Sequence, residues 1–154
     1  MLGIRYAFDT VTKEFIKDIS SLGSLAFYLL MMAVTFLIGK YELSYKLASS
    51  LALIFIATYS IKFFYVKPRP DFEKKKFSSL MERLNESSFP SVHAARITLL
   101  SAALYSVFPQ LILPSSVMTL LVCYSRILVK RHYLPDVIAG IIIGLIIGYF
   151  GFLV

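Results

Sequence analysis

Five long apolar runs restrict the fold of this chain more than any other feature of its sequence. They cover residues 22–39, 47–66, 92–108, 114–129 and 138–154. A helix that crosses a bilayer needs roughly 20 apolar residues, with about 17 as the lower limit. Because lipid offers no partners to backbone polar groups, an open sheet is excluded there. The sequence therefore predicts an all-α fold, an integral membrane helical bundle with about five transmembrane helices.

Composition and charge agree with one membrane domain over residues 1–154. The chain is 58% hydrophobic, and its formal net charge is +7. This excess of basic over acidic residues suits anionic lipid surfaces or anionic substrates as partners. Nucleic acid is not expected as a partner, because the basic residues lie between apolar segments and form no separate basic domain. Cys123 is the only cysteine, so no intrachain disulfide can form.

The first 20 residues form a separate segment ahead of the spans. Helical periodicity places four apolar residues on one face and charged residues elsewhere; the apolar set is Phe8, Val11, Phe15 and Ile19. This pattern predicts an N-terminal amphipathic helix lying in the membrane interface. The alternative is a solvated tail without fixed structure.

A polar loop over residues 67–91 separates the second span from the third. Within it, Ser79 and Glu82 have the spacing of a capping box, which predicts a short interfacial helix in the segment 71–89. Such a helix either covers a site as a lid or only bridges two spans, and both interpretations remain open.

Ionisable residues gather where the spans meet the loops. Ionisable groups at membrane depth are costly, so each is a candidate for function. We interpret Arg96 and Lys46, taken singly, as side chains that reach the interface. The other junctions all fall on one membrane face if the five spans alternate, and they bring together Lys62, Arg69, Ser91, His93, Arg126, His132 and Asp136.

These residue types suit phosphoryl transfer. Lys62, Arg69 and Arg126 can surround an oxyanion, and Ser91 and the backbone amides near Val92 add donors. A histidine four residues from an aspartate, as in His132 and Asp136, can form an orienting hydrogen bond, and His93 is then free to act as a general acid. Zinc bound by the two histidines and the aspartate is the competing interpretation. Three nearby cations oppose it, so neither a metal nor another cofactor is expected.

Three blocks of this sequence resemble the motifs of the type 2 phosphatidic acid phosphatase (PAP2) superfamily. The first motif, Lys, six residues, Arg-Pro, is matched by Lys62 to Pro70; the second, Pro-Ser-Gly-His, by PSVH at 90–93. The third, Ser-Arg, five residues, His, three residues, Asp, is matched by Ser125 to Asp136. Ten of the eleven fixed positions agree. The departure is Val92 in place of glycine, which is strained if that position needs positive φ.

The resemblance implies a role for each matched residue. His132 is the nucleophile, Asp136 orients it, and His93 protonates the leaving oxygen. The phosphoryl oxygens are held by Lys62, Arg69, Ser91 and Arg126, with the backbone amides near Val92. Family members in membranes usually have six spans, so the amphipathic segment here takes the place of the first.

The implied function is a membrane-embedded phosphatase that hydrolyses a lipid phosphate or diphosphate through a phosphohistidine. We favour a polyprenyl diphosphate, because a bare phosphate group on a long tail needs the least additional recognition. The alternatives are a phosphatidic acid or phosphatidylglycerol phosphate phosphatase, a lipid phosphotransferase, and a non-enzymatic protein that binds anionic lipid.

Two arguments disagree on the membrane face that carries the site. Ten basic residues flank the site face even when Lys62, Arg69, Arg96 and Arg126 are set aside, and only Lys40 and Lys46 flank the other. The positive-inside rule therefore predicts a cytoplasmic site. The resemblance implies the outer face of the cell membrane. We expect the extracytoplasmic side, because a basic rim also serves the capture of an anionic substrate.

Overall fold

The structure is a computed structural model that describes residues 2–71 and 79–154, with side chains from residue 11 onward. All regular elements of the described residues are helical, so the predicted all-α fold is confirmed. They are α1 (Leu2–Ser21), α2 (Leu25–Leu37), α3 (Tyr41–Phe64), α4 (Leu80–Glu86), α5 (Val92–Val107), α6 (Ile112–Leu128) and α7 (Leu134–Gly148). A 3-10 turn, Pro109–Leu111, precedes α6, and a π turn, Tyr149–Leu153, follows α7.

Three helical segments of the described chain are long and apolar enough to cross a membrane by themselves. They are Tyr41–Phe64, Pro109–Leu128 and Leu134–Leu153, and α1 with α2 counts as a fourth if this pair is one bent span. α5 is also apolar but has only 16 residues. The chain is therefore a multi-pass membrane protein, and two of the five predicted spans, at 22–39 and 92–108, contain helices shorter than a full crossing.

The predicted first span is interrupted at residues 22–24, where α1 ends and α2 begins at an angle of 48°. The Ser24 hydroxyl accepts a hydrogen bond from the backbone amide of Phe27 and so caps α2. A Cβ on Gly23 would lie 3.0 Å from Val122 Cγ1 and 3.1 Å from the His93 carbonyl oxygen. A side chain at this position would therefore press on its neighbours, and the bend lies directly against α5 and α6.

The N-terminal segment is helical, as predicted, over the part that the structure describes. Val11 and Phe15 are 68% and 62% exposed, while Ile19 packs against the core of α5 and α6. Phe8 lies where side chains are outside the described set. An apolar face left exposed next to the bundle is what a helix in the membrane interface requires.

Small residues let α5 and α7 approach closely. The stripe consists of Gly140, Gly144 and Gly148, one on every fourth position of α7. A Cβ on Gly144 would lie 2.8 Å from Thr98 Cβ, and one on Gly148 would lie 2.7 Å from Ala102 Cβ. Close backbone contact of this kind is how helices associate in lipid, where the hydrophobic effect contributes little. The stripe therefore fixes the start of α5 beside the start of α7.

The ends of four helices meet at one end of the bundle. These are the end of α3, the start of α5, the end of α6 and the start of α7. The Ser91 amide donates to the Asp136 carbonyl over 2.9 Å, which joins the starts of α5 and α7.

The short helix α4, predicted within the segment 71–89, is confirmed for residues 80–86, and the Ser79 hydroxyl accepts a hydrogen bond from the Glu82 amide at its start. Phe77 and the basic residues 74–76 lie outside the described residues.

Candidate active site

A cavity of about 290 Å³ opens at the end of the bundle where the helix ends meet. It brings together residues from all three motifs, and its lining also includes residues that no motif contains. The lining residues are Leu25, Phe55, Tyr59, Lys62, Arg69, Asn85, Val92, His93, Arg96, Arg126 and His132. Six of the eight predicted site residues thus line this cavity, and the other two, Ser91 and Asp136, do not.

Backbone carbonyls at the C-terminal end of α4 and directly after it hold the two cations of the first motif. The Arg69 guanidinium donates to the carbonyl oxygens of Asn85 and Glu86, over 2.5 and 3.2 Å. Lys62, at the end of α3 and 4% exposed, donates to the carbonyl oxygen of Ser87 over 2.8 Å. These carbonyl partners fix the direction of each cation. Arg69 also lies 3.7 Å from the Glu86 carboxylate, which is 43% exposed, whereas no ion pair of Lys62 is found among the described residues. Both cations line the cavity, where an anion can reach them.

The next carbonyl in the same segment fixes the tautomer of His132. Nδ1 of His132 lies 2.7 Å from the carbonyl oxygen of Ser88. Because a carbonyl only accepts, Nδ1 carries the proton, and the lone pair is on Nε2. Burial, and then the charge of Arg126, lower the pKa of His132 to about 3. The imidazole is therefore neutral at physiological pH, as a nitrogen nucleophile must be.

The end of α6 places His132 in the cavity. Lys130 follows the helix with φ of +54°, which is the left-handed conformation that reverses the chain at many helix ends. The amides of Arg131 and His132 then donate to the Arg126 carbonyl, over 3.2 and 3.3 Å. This tight turn brings His132 back beside the helix that carries Arg126.

Asp136 does not form the expected hydrogen bond with His132, because both of its oxygens have other partners. Oδ1 forms an ion pair with Lys67 Nζ at 2.6 Å, and Oδ2 accepts from the Tyr133 amide over 2.8 Å. The carboxylate is fully buried and caps the start of α7. Its observed contacts therefore fix the loop around His132 rather than the imidazole itself. Its charge partner is Lys67, which occupies one of the unspecified positions of the first motif.

Ser91 also has a different position from the one expected. Its side chain is fully buried, and its hydroxyl accepts from the Ala94 amide over 3.4 Å, as the cap of α5. Val92 is the first residue of α5 and lines the cavity. Lys130 is the one non-glycine residue with positive φ among those described, so Val92 is free of the strain considered above. Ser125 is buried and donates to the Val122 carbonyl over 2.6 Å.

Two arginines of the cavity have features that the motifs do not indicate, namely the contact of Arg126 with α1 and the position of Arg96. Arg126 Nη1 donates to the Ser20 hydroxyl over 2.7 Å, so the end of α1 forms part of the site. Arg96 was interpreted as reaching the interface, and this is wrong: it is only 5% exposed and lines the cavity. Its Nε atom is buried and has no hydrogen-bond partner among the described residues.

A second, more polar cavity of about 470 Å³ adjoins the first, and His93 and Arg126 line both. Its other lining residues come from the end of α1 and from the loops, and are Lys17, Ser20, Ser21, Asp71, Val129 and Arg131. Within the described ranges, no three His, Cys, Asp or Glu side chains are grouped as metal ligands. The zinc interpretation of His93, His132 and Asp136 therefore lacks a site there.

Buried and half-buried cations surround two histidines at one end of a bundle of apolar helices, and this arrangement is that of a membrane protein with a candidate anion site. The sequence profile of the PAP2 superfamily matches residues 43–154. The chain belongs to this superfamily, as its three motifs indicate.

Comparison with known proteins extends this relationship. Over 97 residues the chain is 31% identical to the undecaprenyl-diphosphatase BcrC of Bacillus subtilis (strain 168), which is 63% of this chain and 50% of the relative. The chain thus spans about half the length of that curated relative.

Two solved structures share the fold. LpxE of Aquifex aeolicus superimposes with a TM-score of 0.75 at 23% identity, covering 92% of this chain and 85% of LpxE. A transmembrane PAP2-type phosphatidylglycerolphosphate phosphatase from Bacillus subtilis gives a TM-score of 0.72 at 21% identity, covering 91% and 74%. The helical arrangement is therefore that of PAP2 membrane proteins.

Proposed function

We propose that this protein is a membrane phosphatase that removes the terminal phosphate from a polyprenyl diphosphate. One observation carries the proposal: Lys62, Arg69 and Arg126 line one cavity with a neutral His132 whose Nε2 lone pair is free. The cations can hold phosphoryl oxygens, and the imidazole can attack phosphorus. The similarity to an undecaprenyl-diphosphatase supports a diphosphate substrate.

The reaction follows from the placement of the two histidines. Nε2 of His132 attacks the terminal phosphorus, and the bond from phosphorus to the bridging oxygen breaks. The electron pair remains on that oxygen, which takes a proton from His93, and the lipid leaves with one phosphate fewer. His93 lies among the arginines of the cavity, so it carries this proton only while the anionic phosphate is bound beside it. Water then attacks the phosphohistidine while His93 takes its proton, the P–N bond breaks, and inorganic phosphate is released.

Substitution of the nucleophile tests this function. We expect His132→Ala to abolish phosphate release from polyprenyl diphosphate, and His93→Ala to reduce it by roughly 10²–10⁴-fold, as for a lost general acid. Lys46→Met, at the opposite end of the bundle, is the control that removes a cation without touching the site. Full activity of His132→Ala contradicts the mechanism, and absence of phosphate release by the wild type favours a protein that only binds anionic lipid.

A comparison of lipids separates the related functions. Phosphate release is measured from polyprenyl diphosphate, phosphatidic acid and phosphatidylglycerol phosphate in the same detergent. Transfer product in excess of free phosphate identifies a phosphotransferase instead.

We expect activity to survive EDTA, because three side-chain cations supply the charge that a divalent ion supplies elsewhere, and we expect inhibition by vanadate. Loss of activity in EDTA with recovery in magnesium contradicts this part of the proposal.

We place the site on the extracytoplasmic side, where a basic rim captures the anionic head group. The test uses single cysteines in a Cys123→Ser background, at positions that the structure shows to be exposed. Arg83→Cys reports the site face, and Lys40→Cys reports the turn between α2 and α3. Labelling of position 83 by an impermeant maleimide in intact cells supports the proposal, and labelling of position 40 alone reverses it.

A further inference from the structure

Arg96 is a buried cation whose charge has no counterion among the described residues. It is 5% exposed, its Nε atom has no hydrogen-bond partner there, and it lines the cavity that holds His93 and His132. A buried charge without a partner is costly, and such groups in native proteins generally have a functional reason. The catalytic scheme above makes no use of it. An anionic ligand group in the cavity would supply the missing partner.

The position of Arg96 shows which part of a substrate it can reach. Arg96 follows His93 by three residues on α5, so both lie on one face of the helix, and Arg96 is about 4.5 Å farther from the helix start. On α3, the lining residues Lys62, Tyr59 and Phe55 also follow one face, over a rise of about 10 Å. The cavity thus extends from the cations inward to apolar side chains.

A lipid substrate must lie along this direction. Its terminal phosphate is held by the cations around His132, and its tail runs toward the bilayer interior. The bridging oxygen is next to His93, which protonates it. The group immediately beyond that oxygen is therefore the one that Arg96, one turn farther along α5, can contact.

We propose that Arg96 binds the phosphate that remains on the lipid, and thereby selects diphosphates over monophosphates. This inference rests on the proposed function. When the terminal phosphorus is transferred to His132, the leaving group is a lipid monophosphate, and Arg96 donates to its non-bridging oxygens. A lipid monophosphate places an uncharged carbon at the same point and leaves the guanidinium without a counterion. The difference between the two substrates is thus one charge-assisted contact.

The test compares two substrates that have the same tail, polyprenyl diphosphate and polyprenyl monophosphate. We expect Arg96→Met to lower kcat/KM for the diphosphate by about tenfold to a hundredfold, the range for a lost hydrogen bond to a charged group. For the monophosphate we expect a change within about threefold. Arg96→Lys keeps the charge and should retain part of the selectivity. Lys46→Met is the control and should leave the ratio of the two kcat/KM values unchanged.

Inhibition by small anions gives a second measurement that does not depend on the lipid. Inorganic pyrophosphate should inhibit the wild type more strongly than inorganic phosphate does, and Arg96→Met should remove this difference. If Arg96→Met does not fold, the same ratios are measured for Arg96→Lys and Arg96→Gln.

The possible outcomes separate this inference from the proposed function. Equal losses on both substrates, or no loss on either, overturn the role of Arg96 while the phosphatase stands. Absence of phosphate release from every lipid by the wild type overturns the proposed function itself. A selective loss on the diphosphate alone supports both.

Discussion

Nδ1 of His132 lies 2.7 Å from the carbonyl oxygen of Ser88, so a main-chain atom sets the tautomer of the imidazole. The three preceding carbonyls, of residues 85–87, hold Arg69 and Lys62. Four consecutive peptide units therefore orient three site residues. The segment 85–88, which ends α4 and continues past it, is more than a lid or a bridge, because its carbonyls hold residues of the site.

This arrangement predicts that the register of the segment matters more than its side chains. Ser88→Ala keeps the carbonyl and loses one hydroxyl contact with the Pro68 carbonyl, so we expect phosphate release within about threefold of wild type. Insertion of one glycine between Glu86 and Ser87 displaces the carbonyls that serve Lys62 and His132, and we expect it to abolish release. Equal activity of the two variants contradicts a supporting role.

The ion pair of Lys67 with Asp136 predicts coupled effects on stability. Asp136 is fully buried and Lys67 is 24% exposed, so removal of either partner leaves the other without its charge complement. We expect Asp136→Asn to lower the free energy of unfolding by about 2 kcal/mol. Lys67→Met should have a similar effect, and Lys67→Arg a smaller one. Stability is measured by thermal melting in detergent. The double variant Asp136→Asn with Lys67→Met should lose less stability than the two single variants lose together, and a loss equal to their sum contradicts the coupling.

The pKa of His132 predicts how stability depends on pH. The ordinary pKa of 6.5 is lowered to about 3 in the folded protein, chiefly by burial. Above pH 6.5 the His132 imidazole is neutral in both the folded and the unfolded protein. As the pH falls from 6.5 toward 3, only the unfolded chain takes up the proton, so the folded state loses stability. We expect the melting temperature of the wild type to fall more steeply over this range than that of His132→Asn; parallel curves contradict the assignment.

The left-handed residue at the end of α6 offers a stabilising substitution. Lys130 has φ of +54°, a conformation that costs a residue with a Cβ roughly 1–2 kcal/mol. We expect Lys130→Gly to raise the melting temperature and Lys130→Val to lower it, because branching at Cβ makes this conformation worse. A lower melting temperature for the glycine variant indicates that the lysine side chain, rather than the backbone, stabilises the turn.

Motif spacing predicted six of the residues that share the cavity, but it also predicted Ser91 and Asp136, which do not line it. His93, His132, Lys62, Arg69 and Arg126 come together because each lies at the end of an apolar run, and antiparallel helices place alternate ends on one face. The sequence also indicated α4 through its capping residues. These are local signals, and tertiary contacts reinforce them.

Other features of the site could not be predicted, because they depend on contacts that no pattern of residue types in the sequence indicates. The carbonyls of residues 85–88 are common to every amino acid, so no sequence signal marks them. Ser20 reaches Arg126 only because the chain bends at Gly23, which hydropathy does not show. The prediction for Arg96 failed because a single arginine in an apolar run has the same pattern whether it faces the interface or a cavity.

The glycine stripe of α7 has a consequence for how the protein is made. α5 is short, carries His93 and Arg96, and finds its close partner in α7, which leaves the ribosome two helices later. Until then, α5 remains at the translocon or in the lipid without its partner. Arg96 lies about one turn inside α5, so its cost there is below the roughly 2.5–3.5 kcal/mol of an arginine at the centre of a span. We therefore expect α5 to insert stably only together with α7, so that nascent chains halted before residue 134 retain an α5 that is accessible from water.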